Sequence, residues 1–347
     1  MTTIEVEKFN GLSLEIQLLM FDGDIKPIHQ LKIGDVLMGD DSTPRHVVCI
    51  KTIDSSKTKL FEIEQKKGIK YKVNRDNYIS LKLSRLRTKK NFKIYDREYV
   101  KNSIVDIRLQ DYMNLSKTVQ LDFKGFKTSI NFASQPILIP PYLLGLWIMD
   151  TSILTTEITI SDSLILEHCY NISQHYKMTM EFSKGNRYTI DFNDKTKKNF
   201  HECLTEMKLL ESKYIPQNYK INSREIRMNL LAGIIDCEGY VNNNCYELTT
   251  KNEKLVDDIC FLCNSLGFYA SKSSQPKTFY FRIIISGDLS SIPVHNPRKK
   301  MSERKQIKNI LHTGVAVKPL DDTNSCIELS IDGNGRFVTS DFTVLHT

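Results

Sequence analysis

At 347 residues and 40.1 kDa the chain is too long for one ordinary core and fits two or three domains. Hydrophobic residues make up 40% and charged residues 26%, which excludes a wholly disordered chain, and no apolar run nears the ~18 residues of a membrane span. Lys and Arg number 48 against 41 acids, a net +7 that permits a polyanionic partner. The N-terminus has no basic head followed by an apolar run, so a secretory signal is not expected. Eight cysteines over this length are no disulfide scaffold, and they read as reduced thiols of an intracellular protein.

Residues 1–135 read as a β-rich domain. Leu14–Met20 precedes the turn signal Asp22-Gly23, and Val36–Met38 precedes Gly39-Asp40-Asp41. Short strands continue at Val47–Ile50, Leu60–Ile63 and Tyr71–Val73, and no segment keeps a helical apolar period for three turns, so the unit reads as all-β. Near its end Lys82, Arg85, Arg87, Lys89, Lys90 and Lys93 follow one another with no acid between them. A run of this kind suits contact with a phosphate backbone.

The middle of the chain, 136–297, is organised differently. Pro136, Pro140 and Pro141 introduce a strongly apolar helix over 142–150, and a second helix runs over 225–238. After the first come a strand at 156–160, a helix at 164–175 and a strand at 187–192; after the second come 246–250, 254–266 and 279–285 in the same order. The layout predicts an internal duplication with a period of about 88 residues. A second basic run follows, with Arg298, Lys299, Lys300, Arg304, Lys305 and Lys308 against Glu303 alone. The tail, 298–347, returns to short strands, as if a β domain were interrupted by an α/β insert and then completed. Cys260 and Cys263 lie within a predicted amphipathic helix with no second pair nearby, which reads as core rather than a zinc site.

The repeated helices end in acids. Asp150 lies five residues after Gly145, and Glu238 five after Gly233. Small residues there let two helix backbones approach, which brings both acids together about a pseudo-two-fold axis. Two close carboxylates do not both stay charged cheaply unless divalent cations lie between them. Hard oxygen ligands select Mg²⁺, for which Mn²⁺ can substitute, and two-metal geometry is one way to cleave a phosphodiester.

Leu231-Ala232-Gly233-Ile234-Ile235-Asp236-Cys237-Glu238-Gly239, with a looser copy at Leu143–Asp150, resembles the signature of the LAGLIDADG (DOD-type) homing endonucleases embedded in inteins. The resemblance implies an α+β, multidomain architecture: an all-β Hint domain interrupted by a duplicated αββαββα-type endonuclease domain. It implies a monomer with internal pseudo-symmetry that cuts double-stranded DNA at a long recognition site and has no membrane partner. Carried over by position, the metal ligands are Asp150 and Glu238, with the carbonyls of Met149 and Cys237, while Asp236 is a structural helix-end residue. Lys213, in Lys213-Tyr214-Ile215-Pro216, is the assisting lysine of the first site; Lys299 or Lys300 serves the second, and Lys300 is the expected one. The runs 82–93 and 298–308 are expected on DNA phosphates. Met149 and Thr151 stand where the family usually has glycine, which leaves a DNA-binding relic as the alternative.

The flanking β segments resemble the two halves of an intein's splicing module, with its reactive positions changed. Gly11 stands at the first nucleophile, and Asn74 and Asn77 replace the Thr and His of the second block. His346 keeps the penultimate histidine, and Thr347 replaces the cyclising asparagine. A glycine has no side chain to take up an acyl group. Splicing is expected to be lost, an active self-splicing intein being the remote alternative, and a free-standing endonuclease of this family is expected in the nucleus.

Overall fold

The computed structural model describes residues 9–53, 59–86, 92–150, 156–193, 198–275, 279–303, 305, 308–323 and 325–347. The chain mixes α and β structure and forms two compact units, Met1–Ile130 with Lys308–Thr347, and Asn131–Ile307.

The first unit is built on a seven-stranded antiparallel sheet. Gly11–Ser13 lies inside it, between Tyr71–Asn74 and Cys326–Ile331, with Gly11 opposite Glu328 and Leu12 opposite Val73. Segments more than 300 residues apart thus share one ladder. Its core is apolar, with Leu12, Ile63, Val73, Ile327 and Phe337 buried, each such side chain stabilising by roughly 1.5–3 kcal/mol. The all-β reading of 11–135 needs one correction, since Leu109–Asn114 and Lys117–Gln120 are helical. Each is under two turns, too short to show an apolar period, and the second is held by Ser116, whose hydroxyl accepts from the Val119 amide at 3.4 Å.

The second unit centres on two helices. The first motif helix, Pro141–Met149, starts with proline at its first turn and has all nine residues buried, so it has no polar face to lose. A strand Glu157–Thr159 follows, then a helix Ser163–His175 capped by Asp162, then strands Met178–Lys184 and Arg187–Phe192. The second motif helix, Arg224–Glu238, is capped by Ser223. Strands Tyr240–Asn242 and Cys245–Thr250 follow, then the Asn252-capped helix Glu253–Ser265, then strands Tyr269–Gln275 and Tyr280–Ser286. The strands form a first sheet of three and a second of four, each with one apolar face on the core.

Three of these strands go beyond the sequence reading. Tyr240–Asn242 has three residues, and Tyr269–Gln275 is dominated by Ser, Lys and Ala, which have weak strand preference. They form by pairing with Cys245–Thr250 and Tyr280–Ser286. Met178–Lys184 likewise gains its strand from the antiparallel register with Arg187–Phe192.

Candidate active site

The two motif helices touch backbone to backbone. A Cβ on Gly145 would collide with the Leu230 carbonyl and lie 2.9 Å from the Ile234 amide. One on Gly233 would collide with the Tyr142 carbonyl and lie 3.1 Å from the Leu146 amide. The reciprocal contacts put both helix C-termini side by side, and only glycine permits the crossing.

Asp150 ends the first motif helix, 7% exposed, and its Oδ2 accepts from the Thr159 amide at 2.8 Å. Glu238 stands in the last turn of the second and is more exposed. Desolvation at the pocket wall raises its pKa; Lys299 opposes the shift and the charge of Asp150 adds to it. Two cavities open beside the helix ends. The larger, about 600 Å³, is lined by Asp150, Lys213, Glu238, Thr249, Lys251 and Asn252. The smaller, about 290 Å³, is lined by Asp150, Thr159, Asp162, Asp236, Glu238 and Lys299. Asp150 and Glu238 are common to both, and each cavity has its own half-buried lysine.

Lys213 Nζ donates to the Trp147 carbonyl at 2.9 Å and to the Asp150 carbonyl, and lies 4.5 Å above the Trp147 ring. Lys299 Nζ donates to the carbonyls of Ile235 at 2.9 Å, Asp236 at 2.8 Å and Cys237 at 3.4 Å. Burial pushes both ammonium groups below the ordinary lysine value, with nearby acidic groups opposing. Lys299 is therefore the counterpart of Lys213, which corrects the choice of Lys300. The turn Pro297–Lys299 sends Lys299 to the second helix end and leaves Lys300 exposed. Of the two carbonyls expected to be ligands, that of Cys237 accepts from Lys299, and Met149 lines the larger cavity.

The turn is fixed by Asp236. Its carboxylate accepts from Tyr142 Oη at 2.7 Å, the His295 amide at 2.6 Å and the Asn296 amide at 3.1 Å. The His295 ring stacks on His168 at 3.4 Å; burial, with the charge of His295 adding, pushes the His168 pKa down to about 4. Sequence reasoning made Asp236 a structural helix-end residue but missed its partners and the histidine stack, and it missed Lys251, whose Nζ lies 5.0 Å above the Tyr280 ring at the larger cavity. The only signal was position: Lys251-Asn252 lies about 90 residues after Ser161-Asp162, at the matching strand-to-helix turn.

Of the first basic run, Lys82 is half-buried, donates to the Asn102 carbonyl at 3.3 Å and lies 5.2 Å above the Phe126 ring. Arg85 is exposed, and Lys93 is exposed and paired with Asp96 at 3.3 Å. Arg298 and Lys305 are exposed. Arg87, Lys89, Lys90, Thr151 and Arg304 lie outside the described residues.

In the first unit, Asn74 Oδ1 accepts from the amides of Gly11 at 3.1 Å and Asn77 at 3.0 Å, while its Nδ2 donates to the Phe9 carbonyl at 2.7 Å. A Cβ at Gly11 would lie 2.8 Å from Cys326 Sγ and 3.3 Å from Asn74 Cγ. His346 Nδ1 lies 2.5 Å from the Thr347 carbonyl, and the Thr347 amide donates to Gly335 at 2.9 Å.

The homing endonuclease family model matches residues 214–289, from the end of the Lys213 segment through the second motif and its sheet. A replicative DNA helicase, DnaB, of Mycobacterium intracellulare is 26% identical over 148 residues, 42% of this chain, and the chain spans 22% of that relative's length. Among solved structures, a mesophilic variant of the homing endonuclease I-DmoI shares 20% identity, covering 42% of this chain and 87% of its own, with a TM-score of 0.32. I-DmoI in complex with DNA and Mn shares 18% over 42% of this chain and 88% of its own, at a TM-score of 0.30. The gp41-1 intein shares 14% over 28% of this chain and 80% of its own, at a TM-score of 0.18. The family-model match falls on the second motif helix, which crosses the first at glycine and ends in Glu238, and on the sheet that follows it, so the likeness to homing endonucleases rests on that half of the second unit.

Proposed function

We propose that the chain cuts both strands of a long double-stranded DNA site and depends on a divalent cation. One observation carries the reading: two cavities share Asp150 and Glu238 while each holds its own desolvated lysine, as two cuts on opposite strands require. The donors suit a hard cation. Both carboxylates face the cavities, Glu238 is costly to ionise beside Asp150, and a dication would remove that cost. Asp150 and Glu238 would hold Mg²⁺, or Mn²⁺ in its place, with the carbonyls of Met149 and Cys237 as further oxygen donors. When bound, the ion supplies charge for the phosphate and lowers the pKa of attacking water.

Lys213 and Lys299 bring a positive charge to the developing phosphorane charge at each strand. Burial makes both ammonium groups readier to give up a proton, which suits exchange with water at the scissile phosphate. Asp236 holds the turn that aims Lys299. The outer sheet faces would lie in the major groove, and the basic residues of 82–93 and 298–308 would contact phosphates. Cleavage of a randomised plasmid library by purified protein, with and without Mg²⁺, tests the reading. Discrete cation-dependent ends are expected, and loss of cutting with sequence-selective binding retained would leave the DNA-binding relic. One observation favours that second reading: Asp150 Oδ2 is already engaged by the Thr159 amide.

The first unit is read as a degenerate splicing module. Gly11 offers no nucleophile, and the space a side chain would need is taken by Cys326. A nuclear location accords with this reading.

A further inference from the structure

Each sheet of the second unit carries the same ion pair on its outer face. In the first, Arg187 Nη1 donates to Glu157 Oε2 at 3.4 Å. In the second, Arg282 donates to Glu247 through Nε at 3.0 Å and through Nη2 at 2.5 Å. Both glutamates sit two residues before a threonine, Glu157-Ile158-Thr159 and Glu247-Leu248-Thr249, and in each sheet that threonine is the cross-strand partner of the arginine. The inward residues between them, Ile158 and Leu248, are buried, so the Glu, Thr and Arg share the outer face. The glutamates are recessed, 17% and 15% exposed, and the arginines stand above them at 40% and 35%. Thr159 and Thr249 also line the smaller and larger cavities.

We infer that Arg187 and Arg282 are the specificity-determining residues of the two half-sites, each reading a guanine in the base pairs nearest the cut. This rests on the DNA-cleavage reading. An arginine meant to clamp phosphate works by its uncompensated charge, and here each charge is cancelled by a carboxylate in the same sheet. What the pair retains is a guanidinium fork set at a fixed angle, the shape that matches guanine O6 and N7. A carboxylate beside it repels phosphate and can accept from a cytosine amino group. The positions follow from the threonines, which place each arginine one cross-strand step from a cavity. The two holds differ: Glu247 grips Arg282 at two nitrogens, and Glu157 touches Arg187 at one, so the half-site under Arg282 is read more strictly.

The test uses the full chain with Mg²⁺ on a randomised DNA library, scoring both cut ends and bound sequences, for the wild type, Arg187→Ala, Arg282→Ala and the two Arg→Lys variants. The wild type should show a G·C pair at two positions flanking the cut. Arg282→Ala should relax one of them by roughly tenfold or more and Arg187→Ala the other by less. The salt dependence of binding should be unchanged. The lysine variants, which keep the cation and the sheet, should lose the same preference. Unchanged base preferences with a salt slope lowered by about one would make the arginines phosphate contacts and overturn the inference. A wild type that selects a site without cutting it fails the cleavage reading alone and leaves the arginines testable in the bound pool. A wild type that selects no sequence overturns both.

Discussion

The two halves of the second unit share a frame but not a finish. Asp150 is buried and tied by the Thr159 amide, whereas Glu238 is longer and more exposed, and desolvation raises its pKa. The cavity holding Lys213 has about twice the volume of the one holding Lys299. The halves keep in common the backbone crossing, a lysine at each helix end and the Glu–Arg pair of each sheet, and they differ in the acid and in the size of the cavity. Unequal cutting of the two strands is the expected consequence.

The crossing itself should tolerate least. Gly145→Val drives a branched side chain into the second motif helix, and we expect a loss of about 3 kcal/mol or more, read as a collapse of the second unit's melting transition. Next comes the shared carboxylate: Asp150→Asn should lower cleavage of both strands by on the order of 10²–10³-fold, with DNA binding retained in gel shifts. Loss on one strand only would remove Asp150 from one cavity. The lysines should divide the strands. Lys299→Met is expected to leave a nicking enzyme, roughly a hundredfold slower on one strand, Lys213→Met the opposite nick, and Lys300→Met two intact rates on a strand-labelled duplex.

The pH response sharpens the same contrast. The folded-state pKa of Glu238 is raised, so the folded chain binds its proton more tightly than the unfolded chain, and this group's contribution to stability falls as pH rises through and above 4.5. His168 works in the opposite sense. Its pKa is lowered to about 4, so its contribution is full above 6.5 and is lost as pH falls toward 4. Melting temperatures at pH 4.5 and 7.5 should converge in His168→Phe relative to the wild type, and Glu238→Gln should flatten the opposing slope. The smallest effect belongs to the first unit: Gly11→Cys should cost about 1–3 kcal/mol by overpacking against Cys326 and release no spliced product on gels.

The motif helices and their paired acids were legible because glycine, apolar continuity and a terminal carboxylate recur in register. Lys299 was not, because a single 3₁₀ turn decides which of two adjacent lysines faces the site, and Asp236 sets that turn from 59 residues away. The strands Tyr240–Asn242 and Tyr269–Gln275 were hidden for a related reason, since pairing rather than composition makes them. The Glu–Arg pairs are legible only once cross-strand register is known.

Each half-buried lysine also serves as a C-terminal cap. The last carbonyls of a helix have no amide left to accept from, and they form the negative end of its dipole beside two carboxylates. Lys213 donates to the Trp147 carbonyl and Lys299 to those of Asp236 and Cys237, so removing either lysine removes the staple of the helix that presents the acid. A silent version of the protein for studying DNA capture is therefore better made at Glu238, whose side chain can become an amide without leaving a helix end open.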